Sequence, residues 1–174
     1  RGKKVIGIDN NLAMLSEAQA RLKQAMNRGE INSSVTFMEG NAETLPFNDD
    51  SFDGVVANNV IFYVENPKKM TGEAYRVLKP GGVLAISGPN QNPDIQKLLD
   101  NIVYEFKQKG IYDALREDVE HFSSSSVQLK STGIHNMYRP EEMVELLAET
   151  GFKEVIEKCG EVYLGQSYFV VMKK

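Results

Sequence analysis

Cysteine is nearly absent: Cys159 is the only one in 174 residues. A lone thiol forms no internal disulfide and no cysteine-rich metal site, and Cys159 reads as a small, half-buried strand residue. Histidine is scarce too. His121 and His135 are too few and too far apart to suggest a metal centre. No apolar run approaches the ~20 residues that span a bilayer, and no signal-peptide pattern is present. Positive charge is not in excess, since 20 Lys and Arg face 24 Asp and Glu, for a net charge of −4. That balance disfavours nucleic acid and anionic membrane surfaces as partners. An initiating Met is also lacking: the chain opens on Arg1, which leads us to expect a fragment, a processed product or an incomplete record. Within these limits a reducing, cytoplasmic setting is the expectation.

What is present is ordinary for a globular protein. Apolar residues make up 41% and charged residues 25%. The length is that of one domain, 1–174, with enough chain to bury a sizeable core. Val5–Ile8 is a short apolar strand of the kind covered on both faces in a parallel sheet. Leu12, Leu15, Ala18, Leu22 and Met26 then fall on one helical face. Asn10 and Asn11 supply cap chemistry at its start, and Asn27-Arg28-Gly29 ends it. Val35–Glu39 and Phe52–Ala57 read as further strands, separated by the polar turn Asn48-Asp49-Asp50-Ser51. Asn66-Pro67 opens a helix whose inner face is Met70, Ala74, Val77 and Leu78; Pro80-Gly81-Gly82 stops it, and Val83–Ser87 follows as a strand.

This alternation predicts an α/β fold with a mostly parallel sheet. After Ser87 the pattern changes. An amphipathic helix is expected from Ile95 to Phe106 and another over Ile111–Val119, followed by a polar loop at Ser123–Ser126. Tyr138–Thr150 holds a further helix, and Val155–Cys159 and Tyr168–Met172 close the chain as strands. Residues 89–137 read as an insertion over one face of the sheet.

Four segments carry chemistry. Residues 3–15 bring a strand to Asp9 and run into a helix. A carboxylate at the carboxyl end of a parallel strand can accept from both hydroxyls of a ribose, or it can simply cap the helix. By itself it suits a nicotinamide dinucleotide equally well. Gly40-Asn41-Ala42-Glu43-Thr44-Leu45-Pro46-Phe47 leaves the second strand. Val55-Val56-Ala57-Asn58-Asn59-Val60-Ile61-Phe62-Tyr63-Val64 leaves the third. Arg76-Val77-Leu78-Lys79-Pro80-Gly81-Gly82-Val83 joins a helix to a strand.

Together these segments resemble the class I methyltransferases that use S-adenosylmethionine, most of all the small-molecule branch that includes the ubiquinone and menaquinone biosynthesis enzymes. The resemblance covers residues 3–87 well and 139–174 loosely. It implies a Rossmann-like, doubly wound sheet, truncated at the N-terminus, with 89–137 as a helical lid. It implies Asp9 on the ribose, Asn41 and the Ala42 backbone on adenine, Asn10 and Met14 packing beside the cofactor, and Asn58 near its methionine end. The family carries an acidic residue where Asn41 stands, so the side-chain carbonyl would replace a carboxylate. It often carries His where Phe62 and Tyr63 stand, which removes a general base and leaves aromatic walls. Tyr63 and His135 are the candidate catalytic groups, and His121 is a second lid histidine.

The resemblance also exposes an absence. The family's central strand and glycine-rich loop would precede the Asp9 strand. Without them a hole in the sheet, unpaired strand edges and self-association are expected. The implied activity is methyl transfer from S-adenosylmethionine to a small-molecule acceptor, with no metal. The alternatives are a noncatalytic methyltransferase-like binding module and a nicotinamide-dependent dehydrogenase. The Leu-Lys-Pro-Gly-Gly segment argues against the latter.

Overall fold

The structure is a computed structural model that describes residues 3–31, 33–131 and 136–174. In chain order its elements are β1 (Lys4–Asp9), α1 (Leu12–Asn27), β2 (Ser34–Glu39), β3 (Phe52–Asn58), α2 (Pro67–Val77), β4 (Leu78–Pro89), α3 (Ile95–Gln108), α4 (Tyr112–Ser131), α5 (Pro140–Thr150), β5 (Glu154–Val162) and β6 (Ser167–Lys173). A single 3-10 turn, Ile61–Tyr63, links β3 to α2.

β1 and β2 pair in parallel, in step from Lys4 opposite Ser34 to Asp9 opposite Glu39, so both strands end together on carboxylates. α1 crosses between them. Asn11 is its N-cap: Oδ1 accepts from the Ala13 N–H at 2.9 Å, the standard satisfaction of an orphan first-turn donor. Leu15, Ala18, Leu22 and Ala25 turn toward the strands, while Leu12 and Met26 are 65% and 54% exposed. The apolar stripe is thus narrower than the sequence spacing suggested.

The main core lies elsewhere. β3, β4, β6 and β5 form a second sheet in that order. β4 is parallel to β3 and antiparallel to β6, and β5 is antiparallel to β6. The α/β alternation is as expected. The sheet is more mixed than that alternation alone implied, because the closing strands form a hairpin with reversed direction. Leu84 and Ile86 of β4, Tyr168, Val170 and Met172 of β6 and Ala57 of β3 are buried under α2 and α5, which contribute Met70, Ala74, Met143 and Leu147. The expected inner face of α2 is buried in full.

Two expectations change. The helix ends at Val77 and Leu78 is already extended, ahead of Pro80-Gly81-Gly82. A residue before proline is pushed out of the helical region, so Lys79 cannot continue the turn and the chain straightens early. The Pro-Gly-Gly run sits inside β4, where the pairing jumps from Phe52–Leu78 to Gly54–Val83. Gly81 there has φ +79°, and a Cβ on Gly82 would lie 2.9 Å from the Lys79 carbonyl oxygen. Second, Ser123–Ser126 is not a loop: α4 continues through it to Ser131. The Ser124 hydroxyl donates to the carbonyls of Glu120 at 3.0 Å and His121 at 2.9 Å, and this back-bonding lets serine sit inside a helix.

The expected gap is present. Among the described residues β1 pairs only with β2, and β3 pairs only with β4, so the sheet is split between them. α3 packs on α4, and of its apolar residues only Leu99 is buried. The start of α3 is tied to the β5–β6 hairpin: Gln166 Oε1 accepts from the Asp94 N–H, and Asn90 Nδ2 donates to the carbonyls of Gly160 and Gly165, both at 2.8 Å.

Tyr168 supplies a test of the core. Its side chain is fully buried and its hydroxyl has no hydrogen-bond partner among the described residues. Burial pushes the phenol well above its ordinary range. An unpaired buried hydroxyl costs about 1–3 kcal/mol. Tyr168→Phe removes it with little change in shape, and we expect a gain of ~1 kcal/mol by urea unfolding. A loss of stability would show that the hydroxyl has a partner.

Candidate functional site

The split between the sheets opens a cleft of about 3100 Å³. Its walls are β1 and the turn into α1, the segment after β2, β3 with its 3-10 turn, and the facing side of α3. An ordinary ligand pocket is several-fold smaller. Ligands of open α/β sheets sit at the carboxyl ends of parallel strands, where the chain turns away in opposite directions. Asp9, Gly40-Asn41 and Asn58 stand at or just beyond those ends of β1, β2 and β3, and Ser87 lies two residues short of the end of β4.

Asp9 does two things at once. One carboxylate oxygen accepts from the Asn11 N–H at 2.8 Å, which is the capping role. The other oxygen has no partner among the described residues, and Asp9 lines the cleft. Asn41 is similar. Its Oδ1 accepts from the Glu43 N–H at 2.8 Å and its carbonyl accepts from the Thr44 N–H at 3.0 Å, a tight turn. Among the described residues one lone pair of Oδ1 has no further donor, and the adjacent Ala42 N–H has no acceptor. Asn10 and Met14 border the same end of the cleft, with Met14 57% exposed.

Asn58 stands directly opposite Ser87, and the Ser87 hydroxyl donates to its Oδ1. Asn59 then takes φ +54°, a left-handed conformation that Asn tolerates better than most residues, and its N–H donates to the Ser87 carbonyl at 3.0 Å. The bend aims the next turn at the cleft. Ile61 is fully buried, whereas Tyr63 is 63% exposed, with the Phe62 ring 4.2 Å from its own. Tyr63 therefore belongs to the cleft rather than to the core. His135 lies outside the described residues. His121 is on the exposed side of α4 and does not line the cleft. Among the described residues no three His, Cys, Asp or Glu gather as a metal site, and no helix is long and apolar enough to cross a membrane.

Several cleft residues were not legible in the sequence. Ile95, Leu98 and Ile102 of α3 give it an apolar wall, and Tyr163 and Leu164 reach it from the β5–β6 turn. That turn holds three successive positive φ values, +50° at Tyr163, +62° at Leu164 and +82° at Gly165. Glu43 pins the turn before α2, with Oε1 accepting from the N–H groups of Glu65 at 2.8 Å and Asn66 at 3.1 Å.

The sequence matches the family described as Methyltransferase domain over residues 1–86. The fold matches a putative methyltransferase of Bacillus halodurans with a TM-score of 0.63 at 20% identity, covering 99% of this chain and 83% of that one. An uncharacterised protein of Methanocaldococcus jannaschii is 30% identical over 158 residues, 90% of this chain and 68% of that protein. The chain belongs to the class I S-adenosylmethionine-dependent methyltransferases.

Another relative is the ubiquinone/menaquinone biosynthesis C-methyltransferase UbiE of a Ruegeria species, 32% identical over 143 residues, 74% of this chain and 56% of that enzyme. The chain spans only 22% and 25% of the lengths of two chloroplastic 2-methyl-6-phytyl-1,4-hydroquinone methyltransferases of rice. These matches favour neither a noncatalytic module nor a dehydrogenase.

Proposed function

We propose that this methyltransferase chain binds S-adenosylmethionine across the carboxyl ends of β1, β2 and β3 and serves methyl transfer to a small, largely apolar acceptor of the quinol type. The observation that carries the reading is that three residues lining one cleft keep polar atoms without a partner among the described residues, of the kinds an adenosine needs: the second oxygen of Asp9, a lone pair of Asn41 and the Ala42 N–H. Asp9 would take the ribose hydroxyls, Asn41 the adenine amino group, Ala42 a ring nitrogen, and the chain at Asn58 the methionine end.

When bound, the cofactor would supply a methyl group already made electrophilic by its sulfonium. The protein's work is then alignment and exclusion of water. Tyr63 and Phe62 form an aromatic wall beside Asn58, and the Tyr63 hydroxyl can orient an acceptor hydroxyl. Ile95, Leu98 and Ile102 add an apolar surface to the same cleft, which suits an acceptor with a hydrocarbon substituent. The described part of 89–137 acts in this reading as the acceptor-side cover. The quinol class is supported by the names of the Ruegeria and rice relatives.

Calorimetric titration of the 174-residue chain with S-adenosylhomocysteine, and separately with NADH, tests the cofactor assignment. We expect micromolar binding of the first and none of the second. NADH binding alone, or binding of neither, overturns it.

A further inference from the structure

The segment that would read adenine, Gly40–Ser51, contains almost no regular structure. Its shape is imposed by α2. Arg76 Nη1 donates to the Phe47 carbonyl at 2.7 Å, and Nη2 donates to the Leu45 carbonyl at 3.1 Å. Glu73 Oε2 accepts from the Leu45 N–H at 2.7 Å. The two side chains also bond each other in bidentate fashion, Nε to Oε1 at 2.7 Å and Nη2 to Oε2 at 2.8 Å. Leu45 is thus gripped at its N–H and at its C=O by one ion pair. It directly follows the Asn41–Thr44 turn that presents the Asn41 side chain and the Ala42 N–H.

The arrangement is more specific than a surface ion pair. Glu73 and Arg76 are only 19% and 31% exposed, whereas Asp49, which also accepts from Arg76 Nη1, is 73% exposed. Every nitrogen of the guanidinium is used, in the planar fork that a lysine cannot reproduce. The Arg76 guanidinium also holds the Glu73 carboxyl below its ordinary range, so it stays ionised and accepting at neutral pH. On the far side the loop rests on an apolar contact, the Phe47 ring edge-on to Phe52 at 4.8 Å.

We propose that the Glu73–Arg76 pair is a positioning device for the cofactor loop: it fixes Leu45 and Phe47 to α2 and so sets where Asn41 and Ala42 stand relative to Asp9. The proposal rests on the cofactor reading above. Neither residue touches the cofactor in this account; they act through the backbone of the loop.

The test uses the 174-residue chain with Arg76→Met, Arg76→Lys and the milder Glu73→Gln, and two readouts. Amide exchange at Leu45 and Phe47, against β4 and β6 as internal reference, reports loop order without any cofactor. Titration with S-adenosylhomocysteine reports the functional consequence. Arg76→Met should speed exchange in the loop alone and weaken binding about tenfold, the scale of one charge-assisted hydrogen bond. Arg76→Lys should fail to restore either. Glu73→Gln should give the same pattern at smaller amplitude, which keeps the test decisive if Arg76→Met does not fold. Asp49→Asn should change neither readout. Unchanged loop exchange, or faster exchange throughout the protein, overturns the proposal. Faster loop exchange with unaltered affinity overturns it too. If the unsubstituted chain does not bind S-adenosylhomocysteine, the cofactor reading fails, and the exchange data alone decide whether the pair orders the loop.

Discussion

Asp9→Ala should weaken S-adenosylhomocysteine binding by about 2–4 kcal/mol, roughly 30- to 700-fold. Two vicinal ribose hydroxyls ask for two acceptor sites, and a carboxylate supplies both with full charge. Each such bond contributes about 1.5–3 kcal/mol. One oxygen of Asp9 is already engaged by the Asn11 N–H at 2.8 Å, so alanine also loosens the entry into α1. Asp9→Asn separates the two effects. Its amide oxygen can keep the Asn11 contact while the second acceptor becomes a donor. We expect it to match the parent in thermal midpoint yet bind about tenfold more weakly, as expected when one good acceptor is lost. Equal affinity of Asp9→Ala and the parent chain would remove Asp9 from the site.

Asp9 shows what was legible in the sequence. Helix capping and ribose binding were weighed there as alternatives; the structure shows the capping bond and leaves the second carboxylate oxygen without a partner among the described residues. The same holds at Asn41, whose Oδ1 closes a turn and keeps a lone pair. All six strands were visible because each holds a short apolar stretch, most of them next to a Gly, Asn or Asp, and such local signals survive without tertiary help. Strand direction is not a local signal. The β5–β6 hairpin was hidden because its turn places Tyr163 and Leu164 at positive φ, against the Asn-Gly and Gly-Gly signatures of short hairpins.

Other features were invisible for a related reason. Glu73 and Arg76 lie three apart on a helix, the spacing of any ordinary helical pair. Their reach to Leu45 and Phe47 spans about thirty residues of sequence and exists only once α2 has docked on the sheet. The serines of α4 were read by composition, and composition understates a helix that serine hydroxyls can back-bond.

The split sheet leads to a second large effect. In the 174-residue chain, backbone amides of β1 and β2 should exchange at least about 100-fold faster than those of β4 and β6, a gap near 3 kcal/mol in opening free energy. The reason is where apolar surface disappears. Among the described residues every buried side chain lies at Ala57 or beyond; β1, α1 and β2 contain none. β1 and β2 hold each other by one parallel ladder, covered on one side by a helix that buries no residue fully. A two-stranded sheet of this kind is marginal alone, so the unit can open without unfolding the β3–β4–β6–β5 core. S-adenosylhomocysteine, contacting Asp9 and Asn41 on one side and Asn58 on the other, would bridge the two sheets. At one hundred times its dissociation constant it should raise the opening free energy of β1 and β2 by about 2.7 kcal/mol, while the core amides change little. Equal exchange across both sheets without ligand would mean that they unfold as one unit. Protection confined to β3 and β4 would mean that the ligand does not reach Asp9. The cofactor, in this account, is the missing contact between two halves of a site.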